Sequence, residues 1–190
     1  MEILNKKNRI LFVHDYPPTE GGGIEVNVFK TAKELVARGH SATICTSRYA
    51  SETYKTNELE KVVHGISIEL LESTQRLQEL ITNSDIVHIY FTFSCRVASL
   101  EALKFCVENN KPCVFSIRTS HKHIPFSSIG SMFPLERDSK LNFIRQYLMS
   151  DCVTVSGPAS CIQDSVAWLG VNKNVKVIPN GTDFHGERHL

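Results

Sequence analysis

The sequence predicts a doubly wound α/β fold, a Rossmann-like and mainly parallel sheet with helices on both faces. Three observations predict it. Short runs of strand formers alternate with segments whose apolar residues recur every three or four positions. The first strand and helix are joined through Gly21-Gly22-Gly23, in the order strand, glycine turn, helix, strand that opens a parallel sheet. The alternation continues through about seven strands with no internal repeat.

Taken in order, Ile10-Leu11-Phe12-Val13-His14 is the first strand, ended by Pro17-Pro18 and the glycines. Val28, Ala32, Leu35 and Val36 mark the first helix, closed by Arg38-Gly39, and residues 42–46 form the second strand. Residues 47–61 are polar and read as an excursion or a short helix. Residues 62–71 supply one or two short strands, with Val62, Ile66, Ile68 and Leu70 expected on one face. Leu77, Leu80 and Ile81 mark a short helix, residues 85–90 a buried-type strand and residues 98–107 another helix. Lys111-Pro112 introduces a strand at residues 114–117. Residues 119–135 form a loop long enough to suggest function. Leu141, Ile144, Leu148 and Met149 predict a helix, and residues 152–155 a strand. Residues 158–169 predict a helix with Pro158 in its first turn and Gly170 as its stop, and residues 175–178 the last strand.

Composition excludes several classes. Lys plus Arg number 21 and Asp plus Glu 20, so the net charge of +1 gives no case for nucleic-acid binding. The six cysteines are dispersed, mostly in apolar runs, with no Cys-x-x-Cys pair. They read as reduced core residues of a cytoplasmic protein, without structural zinc. Residues 1–9 are polar, unlike a secretory signal, and no uncharged apolar run reaches the ~20 residues of a membrane span.

In such a sheet ligands bind beyond the carboxyl ends of the strands. Gly22 and Gly23 allow close backbone approach, and the following helix N-terminus favours an anion such as a diphosphate. The spacing is neither Gly-x-Gly-x-x-Gly nor a P-loop. His14 and Asp15 end the first strand, and His88 and Tyr90 a middle one. Arg118 follows another strand, with His121 and His123 beyond it. Arg118 has the donor fork for a phosphate or carboxylate. No third spaced ligand suggests a metal.

The stretch from Pro17-Pro18-Thr19-Glu20-Gly21-Gly22-Gly23-Ile24-Glu25 to Arg38-Gly39-His40 resembles the opening of retaining GT-B glycosyltransferases of family 4, or group 1. Asp85-Ile86-Val87-His88 and Val177-Ile178-Pro179-Asn180-Gly181-Thr182-Asp183 resemble later segments of the same family, in the same order. The resemblance implies a retaining transfer of sugar from a nucleotide-sugar donor, such as a UDP- or GDP-sugar, to a glycan or lipid-linked acceptor. No metal or other cofactor is implied. It implies that residues 1–180 are an N-terminal acceptor-side domain and that residues 181–190 begin the linker to a missing C-terminal donor-binding domain, the fragment alone being inactive. Gly22 and Gly23 match the glycine loop facing donor diphosphate and sugar. His14, Glu25, His88, Tyr90 and Ser156 fall on the acceptor side, and Asn180 and Gly181 at the domain junction.

One position departs from the family pattern. Many members carry a histidine near the transferred sugar where Pro112-Cys113-Val114-Phe115-Ser116-Ile117-Arg118 places Arg118. Arginine is no base at neutral pH but can meet the charge of a leaving diphosphate. Either His121 reaches in from the loop or Arg118 acts electrostatically. Ile124, Phe126, Ile129, Met132 and Phe133 make that loop apolar. They suit a lipid-linked acceptor or peripheral contact with the cytoplasmic membrane face, or equally packing over the core or against a partner. A non-catalytic carbohydrate- or lipid-binding module is the alternative function. An NAD-type Rossmann protein is disfavoured by the glycine spacing and by the lack of an acidic residue after Cys45-Thr46-Ser47-Arg48.

Overall fold

A computed structural model of the chain describes residues 6–15, 23–47, 62–92, 97–119, 137–171 and 173–178. The elements are β1 (Arg9–Val13), α1 (Gly23–Ala37), β2 (Ser41–Ser47), β3 (Val62–Val63), β4 (Ile66–Leu71), α2 (Thr74–Asn83) and β5 (Ile86–Phe91). They continue as α3 (Val97–Glu108), β6 (Cys113–Ile117), α4 (Arg137–Leu148), β7 (Val153–Gly157), α5 (Ala159–Leu169) and β8 (Lys176–Val177).

The strands form one sheet in the order β3-β4-β2-β1-β5-β6-β7-β8. Every neighbouring pair is parallel except β3 and β4, an antiparallel hairpin. His64 and Gly65 turn that hairpin, both with positive φ. The result is the Rossmann-like sheet expected, with helices on both faces.

Strand alternation divides the core in two. On one face Leu11, Val13, Val87, Ile89, Phe91, Phe115, Ile117 and Val155 pack under α2, α3, α4 and α5. On the other, Ile10, Phe12, Ala42, Ile44, Ile66 and Tyr90 pack under Val28 and Ala32 of α1. Each large apolar side chain so enclosed contributes about 1.5–3 kcal/mol.

Helix ends carry local signals. Ser73 caps α2, its Oγ accepting from Arg76 N at 3.1 Å, and Ser84 N and Oγ both donate to Ile81 O at its end. Gly170 closes α5 in the left-handed conformation, φ 68°. Lys173 Nζ then donates to the carbonyls of Leu148, Ser150 and Val153, tying α5's exit to the turn before β7.

Two expectations are corrected. Pro158 is the N-cap of α5 with extended ψ of 146°, not a first-turn residue, because its position before Ala159 still belongs to the strand exit. Val62 is 61% exposed, since the hairpin register sets it opposite exposed Ser67, on the other face from Ile66 and Ile68, and Leu71 is the buried residue at the far end of β4. Among the described residues Cys45, Cys106, Cys113 and Cys152 are free thiols. Burial pushes the Cys45 thiol up, and a hydrogen bond with Cys113 followed by burial does the same for Cys106, which makes both poor nucleophiles.

Candidate functional site

Along the sheet the chain runs outward from β1 to β2 and β4, then returns to place β5 on the other side of β1. The order therefore reverses between β1 and β5, and the crevice of a doubly wound sheet opens above their carboxyl ends. His14, Asp15, Thr92, Arg118 and Gly157 stand at or just beyond strand ends on this rim.

At the end of β1, His14 is 2% exposed and its Nε2 lies 3.0 Å from Glu25 Oε1 in the first turn of α1. That hydrogen bond holds the Glu25 carboxyl below its usual range. The pair ties the start of α1 to the end of β1. Asp15 is equally enclosed, and Ser99 of α3 donates to its Oδ2 at 3.1 Å. A carboxylate is thus fixed at the reversal point itself.

On the α1 face a polar row crosses three strands. The register aligns Tyr90 with Ser116 and Ser116 with Ser156. His88 Nε2 lies 2.8 Å from Ser116 Oγ, which lies 2.7 Å from Ser156 Oγ. Burial, with the Arg118 charge in second place, brings the His88 pKa down to about 3. The imidazole is therefore neutral, with one donor and one acceptor nitrogen, and the row carries no charge of its own.

Rings stack in the same layer. His88 and Tyr90 have centroids 4.4 Å apart, and Phe12 lies 5.6 Å from His88. The Tyr90 phenol donates to Asn27 Oδ1 on α1 at 3.3 Å, and burial raises its pKa. Arg118 Cζ sits over the Tyr90 ring, 5.2 Å from its centroid. Its backbone N–H donates to Phe91 O at 2.9 Å, extending the β5–β6 ladder by one residue. A guanidinium held by its own strand and by a ring is suited to clamp an oxyanion at the crevice.

Two glycines serve the rim for opposite reasons. A Cβ on Gly157 would lie 2.4 Å from Ile117 O, the carbonyl just before Arg118, and 3.0 Å from Ile162 Cδ1. Only glycine lets β7 close on β6 there. A Cβ on Gly23 would meet no described atom within 4 Å.

Of the residues predicted for the site, the structure brings His14 to Glu25, His88 to Ser156 through Ser116, and Tyr90 to Arg118. Gly22, His121, Asn180 and Gly181 lie outside the described residues, as do residues 120–135 of the expected loop. Sequence reading gave no role to Ser99, Ser116, Asn27 or Gly157, and named Asp15 only as a strand end. Each owes its place to a partner far along the chain, and no local pattern marks it. Among the described residues, no cluster of His, Cys, Asp and Glu could hold a metal ion and no helix is long and apolar enough to cross a membrane.

A family model described as Glycosyltransferase Family 4 matches residues 21–185. No curated protein matches the chain. Among solved structures, the chain is similar to a short chain dehydrogenase/reductase family oxidoreductase from Burkholderia thailandensis, at 10% identity and a TM-score of 0.45, covering 80% of this chain and 69% of that one. It is similar to a wide-type short-chain dehydrogenase/reductase from Veillonella parvula in complex with NADP, at 11% identity and a TM-score of 0.45, with the same coverage of 80% and 69%. It is also similar to Arabidopsis thaliana UGT89C1 complexed with UDP-L-rhamnose, at 10% identity and a TM-score of 0.43, covering 81% of this chain and 42% of that one.

Proposed function

The chain belongs to glycosyltransferase family 4, and on that premise we propose that it is the N-terminal, acceptor-side domain of a retaining enzyme that moves sugar from a nucleotide-sugar to a glycan or lipid-linked acceptor. The observation that carries the reading is Arg118, held over Tyr90 at the rim beside the reversal of strand order. In glycosyl transfer the bond from the anomeric carbon to the diphosphate breaks, and the bonding pair leaves with the diphosphate. The acceptor hydroxyl oxygen bonds to the anomeric carbon, and its proton passes to the departing diphosphate. Negative charge grows on the leaving group, and a preorganised guanidinium is the side chain best fitted to meet it.

His14 and Glu25 then act by fixing the start of α1, which brings Gly23 to the crevice, while His88, Ser116 and Ser156 line the acceptor side. Donor binding falls to a second domain joined through Asn180 and Gly181, with a UDP- or GDP-sugar as co-substrate and no metal. A lipid-linked acceptor would be met at the cytoplasmic face of a membrane.

The test is sugar transfer by the two-domain enzyme from a panel of UDP- and GDP-sugars. Arg118→Ala is expected to lower kcat by about 10²–10³ with native folding, the scale of losing one oxyanion donor. Arg118→Ala with native turnover would reject Arg118 and return the role to His121. Residues 1–190 alone are expected to be inactive, and transfer by them at the rate of the two-domain enzyme would overturn the division of labour.

A further inference from the structure

Tyr90 is 2% exposed and packs in the α1-side core, a place that any large apolar side chain could fill. Its surroundings do more than fill space. The ring is fixed on three sides: by His88 at 4.4 Å, by the edge of His14 at 6.3 Å, and by the phenol's bond to Asn27 Oδ1 at 3.3 Å. The Arg118 guanidinium carbon lies over the ring, 5.2 Å from its centroid. An arginine side chain has several rotatable bonds and pays for each when a ligand orders it. A stack on an aromatic face confines a guanidinium through its π face and not through the N–H donors, which lie in its own plane. The neutral state of His88 keeps a second cation from displacing Arg118 from this platform.

We propose that Tyr90 is a positioning residue, which sets the plane and place of the Arg118 guanidinium so that its donor fork meets a phosphate-type oxyanion above the ends of β1 and β5. This rests on the reading of Arg118 as an oxyanion-binding residue. Tyr90 touches no ligand itself and acts only through Arg118. Asn27 on α1 holds the platform by the phenol oxygen, so the ring matters most and the hydroxyl second.

The experiment titrates the isotopically labelled protein with inorganic diphosphate and follows the Arg118 Nε–Hε NMR signal. In the native protein the Tyr90 ring current displaces that signal, and diphosphate moves it. Tyr90→Phe keeps the displacement and binds within about twofold of native, whereas Tyr90→Leu weakens binding about tenfold. Arg118→Ala, which lacks that signal and is followed by calorimetry alongside the native protein, loses diphosphate binding, and adding Tyr90→Leu to it changes nothing more. If Tyr90→Leu binds like native while Arg118→Ala does not bind, the positioning role is overturned and Arg118 stands. If Arg118→Ala binds like native, the reading of Arg118 falls and takes the proposal with it. Should Tyr90→Leu fail to fold, the native and Tyr90→Phe signals decide: a displaced Arg118 resonance in both supports the stack, and one at the position of solvent-exposed arginines overturns it.

Discussion

The two faces of the same sheet are built to different ends. On β6, Cys113, Phe115 and Ile117 point into the apolar layer beneath α2 to α5, while Ser116 and then Arg118 point to the α1 side. On β5, Val87, Ile89 and Phe91 share the first layer, and His88 and Tyr90 the second. Alternation lets one backbone hold a core on one side and present chemistry on the other, so the site inherits the rigidity of the core without sharing its residues.

The largest break in this contrast is on the apolar face. Phe115 is fully buried, its ring 4.9 Å from Phe91. Phe115→Ala is expected to cost about 3–5 kcal/mol in denaturant unfolding. A loss below 1 kcal/mol would show that the layer under α2 to α5 is not the stabilising one.

On the polar face the expected effect depends on pH. An unfolded imidazole protonates near 6.5, whereas His88 does so only near 3 in the fold. Between those values the unfolded state binds the extra proton, so stability falls as pH falls. The contribution is fully present above 6.5 and used up by about 3, on the order of a few kcal/mol across the window. Unfolding midpoints measured from pH 7 to 3.5 should flatten in His88→Gln; an unchanged slope would rule His88 out as the source.

The smallest effect on stability is at Gly23. Alanine there meets no described atom within 4 Å and is the better helix former, so Gly23→Ala should shift stability by less than about 1 kcal/mol, upward. Sugar transfer by the two-domain enzyme should nonetheless fall by about tenfold or more, because a methyl group bars close backbone approach. Native transfer by this variant would remove the glycine from the site.

Most of the architecture was legible because helical and strand periods differ sharply and each strand here is short, apolar and bounded. Val28 and Ala32 on α1, and Leu77 and Ile81 on α2, are buried as their spacing requires. The strand-end residues were also legible, since a parallel sheet exposes them all on one rim. What was not legible depends on register. His88, Ser116 and Ser156 meet across separations of 28 and 40 residues, and serine inside an apolar run carries no local sign of such a partner. Gly157 looks like an ordinary strand exit until the Ile117 carbonyl is placed against it. Val62 went astray because the hairpin turn at His64 and Gly65 sets a register that pairs it with exposed Ser67, on the other face from Ile66 and Ile68.

Strand β1 lies in the middle of the sheet, paired with β2 on one side and β5 on the other. Its first residue is held to Asp85 by backbone and side chain alike, across 76 positions of sequence. A growing chain produces β1 before β5 and must wait for β5 before that second edge is closed. Long-range parallel pairing of this kind is slow, and an unpaired central strand is a site of misassembly until it is completed. The segment that ends in His14 and Asp15 is thus made well before its second neighbour, so the crevice takes shape only after half the sheet has been made.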